Sequence, residues 1–444
     1  MKVLKIVGGK MSFALACVSA ALCASAVPTV TIDSVAQRWP WNNKVDITYT
    51  ISGGTDLSHY EYYKIKFNAT IDGQTYEIDG SKDLIAKTVN GTHTVTWTNA
   101  PAGVRATGCT MGATLYETTG DYMIIDLDTG HFAFENIEPG DSVNSRPTAS
   151  ADRYNTPLYK TDWLVMRRVP RTADSAYASY RTGHANYEAP TYTGAYTNSV
   201  KDWTTDRDFY AGVFMVTVAQ YQKIMNEERG WSFRAYGQNV KEWCPVSAPS
   251  YNTLRNSKTA ATSLSADASS VSFFERLNAK TGIGVGFDLP TEVMWEIATR
   301  AGTQGLYWWG SSVNNDDLVL RVVWSGERVA NPENSNQKTM SWSVGLRSNG
   351  TTKRISNNWG LYDTMGNLQE PCRDVGYYPD LKDAPDPFTP KYDSGATKLM
   401  LRGGYWEGGI NAEYWKAPYR SVSGYTLDSS AGNYIGLRVF FVAQ

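Results

Sequence analysis

Nucleophiles and soft metal ligands are scarce in this chain of 444 residues, which carries five cysteines and four histidines. His59, His93, His131 and His184 are scattered, and no two stand at the i,i+2 or i,i+4 spacing that puts a pair of imidazoles on one ion. Cys17 and Cys23 fall in an N-terminal export-type segment, which leaves Cys109, Cys244 and Cys372. Three widely spaced thiols are not a disulfide framework; isolated, semi-buried cysteines are the expectation, and at most one bridge could form. Aromatic side chains are the abundant chemistry, at 13% of the chain against 19% charged residues. Segment 404–434 alone holds Tyr405, Trp406, Tyr414, Trp415, Tyr419, Tyr425 and Tyr434. Such side chains offer large, rigid faces with a polar handle, suited to stacking on sugars or gripping peptides.

The charge balance limits the partners. A formal charge of −2 has no basic excess to meet a nucleic acid or an anionic membrane. A chain so rich in aromatics and poor in charge does not belong among disordered sequences. Residues 1–26 read as a signal peptide: Lys2, Lys5 and Lys10 precede the short apolar run Met11–Cys23, and Ala24-Ser25-Ala26 offers small residues for cleavage before Val27. Its removal takes away three lysines and no acid, moving the charge from −2 to −5. No later stretch reaches the length a membrane-spanning helix needs. The expectation is a secreted, periplasmic or cell-surface protein with no membrane span.

The elements that would position these residues divide in two. Residues 27–138 alternate apolar and polar with period two, most strictly over Val45–Ile51, with turn pairs Gly53-Gly54, Asp72-Gly73, Asn90-Gly91 and Thr129-Gly130. This predicts an antiparallel β-sandwich of the immunoglobulin or fibronectin kind. Residues 139–161, rich in Pro, Ser, Asn and Asp, read as a linker. Residues 162–444 read as an α+β, loop-rich domain beginning with a strand at Leu164-Val165-Met166. It carries one helix capped by Thr217 and Gln220 and stopped by Gly230, and another opening at Pro290-Thr291-Glu292.

Six blocks in the second region resemble the formylglycine-generating enzyme, or sulfatase-modifying factor, family. They are Phe209–Thr217 with Gln220-Tyr221; Leu289–Glu292 with Trp295, Glu296, Ala298 and Arg300; Tyr307–Gly310; Asn358–Asn367 with Glu370 and Asp374; Leu401–Gly404; and Gly436–Val439. Each alone is weak, but six in the family's order are a strong signal. The resemblance implies a compact, irregular C-type-lectin-like fold, and an oxidase that holds copper(I) on two cysteines to convert a substrate cysteine to formylglycine.

The departures from that pattern bear on chemistry. The family's two cysteine positions fall near Gly408 and Glu413, and no cysteine comes after Cys372. Copper(I) selects soft thiolates, so copper is disfavoured and a degenerate active site is expected. A non-haem iron reading is weaker still, because its His set has no match. The resemblance also implies a calcium site at Asp363, Gly366, Leu368 and Glu370, a mixture of carboxylate and carbonyl oxygens that suits a hard cation. The alternative is that Asp363 and Glu370 only cap backbone groups of their loop. A second family calcium site expects an asparagine near Trp324, which is missing. The leading expectation is therefore a binding module for a glycan or an extracellular or envelope protein, acting through an aromatic groove at Trp406, Tyr414, Trp415 and Tyr419. Alternatives are a formylglycine-generating or related metal-dependent oxidase with unusual ligands, and a structural spacer.

Overall fold

The computed structural model describes residues 29–38, 44–52, 63–78, 91–98, 100, 105, 110–117, 120–130, 132–135, 154–184, 195–196, 199–226, 240–247, 250–255, 272–281, 286–311, 320–322, 330–331, 334–338, 341–347, 352–376, 381–392, 398–406, 415–427 and 434–442. Two compact units divide the chain, one within residues 1–115 and one holding 116–444 together with 59–64. The export segment 1–26 and most of the expected linker lie outside the described residues.

In the first unit, strand Val45–Ser52 lies between Thr29–Gln37 and Gly91–Trp97, while Tyr63–Ile71 lies between Gln74–Ile78 and Thr110–Glu117. The alternation read from sequence is borne out at Val45, Ile47, Tyr49 and Ile51, which are buried while the residues between them are not. On the outer face Thr48 and Thr50 pair with Thr94 and Thr92 at 3.2 and 2.9 Å. Inside, Tyr49 meets Phe67 of the other sheet edge-on at 5.4 Å. Asp72 and Gly73 both take positive φ, 49° and 82°, the turn that joins twisted antiparallel strands with least strain.

The second unit is built on a six-stranded antiparallel sheet. Its order is Phe287–Asp288, Phe440–Val442, Phe209–Gly212, Trp163–Val169, Tyr122–Asp126 and Phe132–Glu135. This corrects the expected boundary at residue 138. Strand Tyr122–Asp126 pairs with Trp163–Val169 (Ile124 opposite Val165), so Leu164-Val165-Met166 is not the first strand of its domain. The reason is visible in composition: Tyr122–Ile125 are all buried, so this strand has two covered faces and none of the alternation that marks the first unit. The expected linker also ends early, because Tyr154, Asn155 and Lys160 are buried in the second unit.

A second sheet orders residues 195–196, Arg420–Thr426, Lys398–Arg402 and Glu370–Val375. Helix Val218–Met225 has the expected capping box, with Gln220 N–H donating to Thr217 Oγ1 at 3.2 Å and Thr217 N–H to Gln220 Oε1 at 3.0 Å. Asn226 in the left-handed region, not Gly230, ends it. Helix Glu292–Arg300 is capped by Thr291, which accepts the Met294 N–H at 3.1 Å, and closes on left-handed Ala301. Every residue of this helix is buried, Glu292, Glu296 and Arg300 included.

Candidate ligand-binding site

A helix with two glutamates and an arginine can be buried all round only if those charges are paired. Glu292 accepts from Arg420 Nε at 2.6 Å and from Arg402 at 3.3 Å. Glu296 accepts from Arg300 at 2.8 Å, Arg402 at 2.5 Å and the Gly183 N–H at 2.7 Å. Arg402 also donates to Ala417 O at 3.0 Å and lies 5.1 Å from the Trp295 ring. Asp374 caps the start of the helix by accepting the Glu292 N–H at 2.7 Å. Burial and the neighbouring Glu292 push its carboxyl up to about 6. Trp295 donates to Glu370 at 2.7 Å, and Glu370 is gripped by Arg438, which also donates to three carbonyls, Gly212, Val213 and Tyr362. These acidic and basic residues, all but Arg420 from the recognisable sequence blocks, are thus held by one another and by backbone groups in the core. They build a scaffold, and each of them is buried.

The two described thiols are core residues as well. Cys244 and Cys372 are both buried, and the Cys244 thiol donates to Val240 O at 3.4 Å. Burial, with Glu292 and Asp374 nearby, pushes the Cys372 thiol well above its ordinary value, so it is poorly disposed to become a thiolate. Cys109, Gly408 and Glu413 lie outside the described residues.

Three of the four residues named for the aromatic groove are buried. Trp406 is 4% exposed, Trp415 0% and Tyr419 9%, and Tyr414 lies outside the described residues. After Arg402 the chain turns through Gly403 and Gly404, both at positive φ (88° and 66°), and Trp406 N–H donates to Asn367 O at 3.0 Å. A Cβ at Gly403 would stand 3.2 Å from the Trp295 ring, so the turn needs glycine to pass that close. Trp406 is thereby sent into the main core and Trp415 into a smaller one with Tyr307, Trp308, Val322, Met365 and Ala417.

That smaller core carries a part-exposed aromatic surface. Tyr307 and Gly310 exchange backbone hydrogen bonds at 2.8 and 3.1 Å, closing a tight turn with Trp308 and Trp309 at its tip. Trp309 stacks on Tyr307 (5.0 Å, 16°) and meets Trp308 edge-on (5.1 Å, 88°). The Arg321 guanidinium lies 5.6 Å from both indole rings. Leu306, Trp309 and Ile355 are only partly covered, over a floor made by Trp308 and Trp415. A Trp face beside a guanidinium is apt for stacking and for cation-assisted hydrogen bonding. The signal was present in the run Tyr307-Trp308-Trp309-Gly310; Arg321 carried none, because its place over the indoles is set by tertiary structure.

Asp363 and Glu370 each lie beside a guanidinium of this chain. Three N–H groups hold the Glu370 carboxylate: Arg438 Nη2 at 2.7 Å, Arg438 Nε shared between the two oxygens at 3.1 Å, and Trp295 Nε1 at 2.7 Å. Asp363 Oδ2 accepts the Gly345 N–H at 2.7 Å, while Oδ1 lies 3.7 Å from Arg354 Nε and is buried without a hydrogen bond among the described residues. Burial raises its carboxyl above the ordinary value against the pull of Arg354, the Gly345 N–H, Arg438 and Lys160. Gly366 and Leu368 are buried in the same loop.

This architecture defines a scaffold of the sulfatase-modifying-factor class: residues 168–441 match the family described as the sulfatase-modifying factor enzyme 1-like domain. The chain belongs to that family. It is similar to the formylglycine-generating enzyme of Streptomyces coelicolor, 31% identical over 159 residues, 34% of this chain and 46% of that one. It is also similar to the formylglycine-generating enzyme of Mycobacterium tuberculosis, 33% identical over 85 residues, 19% of this chain and 26% of that one. The chain thus spans less than half the length of these curated relatives. Among solved structures it is similar to Treponema denticola variable protein 1 (TM-score 0.44, 17% identity, 63% of this chain and 95% of that one). PvdO from Pseudomonas aeruginosa gives a TM-score of 0.43 at 17% identity, over 63% of this chain and 94% of that one.

Proposed function

We propose that this chain is an exported family member with a degenerate active site that works as a binding module. It takes a glycan or an extracellular or envelope protein on the aromatic surface around Trp309, and its N-terminal unit is an immunoglobulin-like sandwich that spaces or docks it. One observation carries the reading: the segment that would supply the copper thiolates has Gly408 and Glu413 at those positions, while Cys372, the last thiol, is sealed in the core. Neither residue can serve copper(I) as a soft ligand. Trp309 takes over the ligand-facing role from Trp406 and Trp415, whose burial makes them supports.

Isothermal titration of the purified chain against a glycan panel and candidate envelope proteins tests the proposal. Trp309→Ala is expected to weaken binding about tenfold or more, the loss of one central aromatic contact, with the fold intact by circular dichroism. Unchanged affinity in Trp309→Ala would remove the surface from consideration. The names of the two curated relatives favour an oxidase as second reading. Oxygen uptake with copper(I) and a cysteine-containing sulfatase peptide decides it, and turnover there would overturn the degenerate-site reading.

A further inference from the structure

The loop from Asp363 to Glu370 is wound tightly, with Asp363, Gly366 and Asn367 all at positive φ (53°, 85° and 61°). Such a loop brings two carboxylates into a wholly buried setting, where some cation must balance them. We infer that two arginines of this chain do so: Arg354 at Asp363 and Arg438 at Glu370 close the loop with guanidinium groups, where the family resemblance implies a calcium ion.

Both arginines are fixed independently of the carboxylates. Arg438 holds Gly212 O at 2.8 Å and Tyr362 O at 2.9 Å, and Arg354 Nη1 holds Val322 O at 2.8 Å. Neither can swing away without orphaning buried carbonyls. Calcium needs six to eight oxygens and would have to displace a bidentate guanidinium from Glu370. It would also bring two further positive charges beside Arg354 and Arg438, where like charges repel with little screening. Lys160 is also buried, over the Phe214 and Trp243 rings at 5.6 Å from each, and acts electrostatically on Asp363. The loop therefore keeps the family's carboxylates while the ion is exchanged for side chains tied to three separate segments.

The test is thermal unfolding of the full chain in EDTA and in millimolar calcium chloride, for the wild type and Asp363→Asn. A native-state calcium site raises the melting temperature as the ion saturates it. The expected result is one melting temperature in both buffers, within about 1 °C, and an Asp363→Asn chain that melts lower in both alike because Arg354 has lost its counter-charge. A calcium response that Asp363→Asn leaves intact is assigned by Glu370→Gln, since an asparagine oxygen can still ligate calcium: lost there it overturns the inference, and kept there the ion sits outside this loop and the inference stands. A rise of several degrees with calcium that Asp363→Asn abolishes would overturn it. Elemental analysis of the gel-filtered wild-type chain gives a readout that needs no variant: stoichiometric calcium lost on Glu370→Gln refutes the exchange.

Discussion

Replacing Arg438 by methionine removes the one side chain that neutralises Glu370 and serves three carbonyls at once. In the wild type its guanidinium reaches Glu370 at 2.7 Å and the carbonyls of Gly212, Val213 and Tyr362 at 2.8, 3.1 and 2.9 Å, with both charged groups about 1% exposed. The variant leaves a buried carboxylate with only the Trp295 N–H as donor. Breaking such a pair from one side costs about 3–5 kcal/mol, or a fall of about 10 °C in melting temperature for a domain of this size. Differential scanning calorimetry of the full chain measures it. Adding Glu370→Gln to Arg438→Met removes the stranded charge and should recover about half the loss, since the carbonyls stay unpaired. The double-mutant cycle is then expected to give a coupling of at least about 2 kcal/mol, larger by whatever Glu370→Gln costs alone. An Arg438→Met chain within about 1 kcal/mol of wild type would refute the view that the family's terminal arginine is a structural counter-ion.

Two more expectations concern buried titrating groups. Asp374 has a carboxyl raised to about 6 in the folded state, so the folded chain holds its proton where the unfolded chain has released it. Its contribution to stability therefore declines as pH rises from about 4 to about 6 and is level above that, by about 3 kcal/mol in all; urea titrations of wild type against Asp374→Asn across that window should differ in slope with this sign. Cys244 and Cys372 should resist alkylation in the native chain and react fully in denaturant, read by peptide mass spectrometry, whereas native labelling of Cys372 would contradict its burial.

Local patterns carried much of the fold. The capping box at Thr217 and Gln220, the cap at Thr291 and the alternation through Val45–Ile51 each depend on neighbours within a few residues, and each is present. The domain boundary departs from the sequence expectation because Tyr122–Ile125, buried on both faces, takes its partners from Trp163–Val169, some forty residues on. Glu292, Glu296, Arg402 and Arg438 stand out as family blocks without revealing that they are ion-paired, because pairs formed across 68 to 128 positions leave no local mark.

The same division explains the candidate site. The amino-acid sequence alone determined the absence of thiols at Gly408 and Glu413, the abundance of aromatics, and membership of a recognisable scaffold, since these are matters of residue type and order. Only the tertiary structure decided which aromatics are walls and which are floor. Trp and Tyr are equally at home in a core and on a ligand-facing surface, so composition could not separate buried Trp406 and Trp415 from part-exposed Trp309. It likewise brought Arg354 to 3.7 Å from Asp363 and Arg438 to 2.7 Å from Glu370, contacts that residue order does not announce.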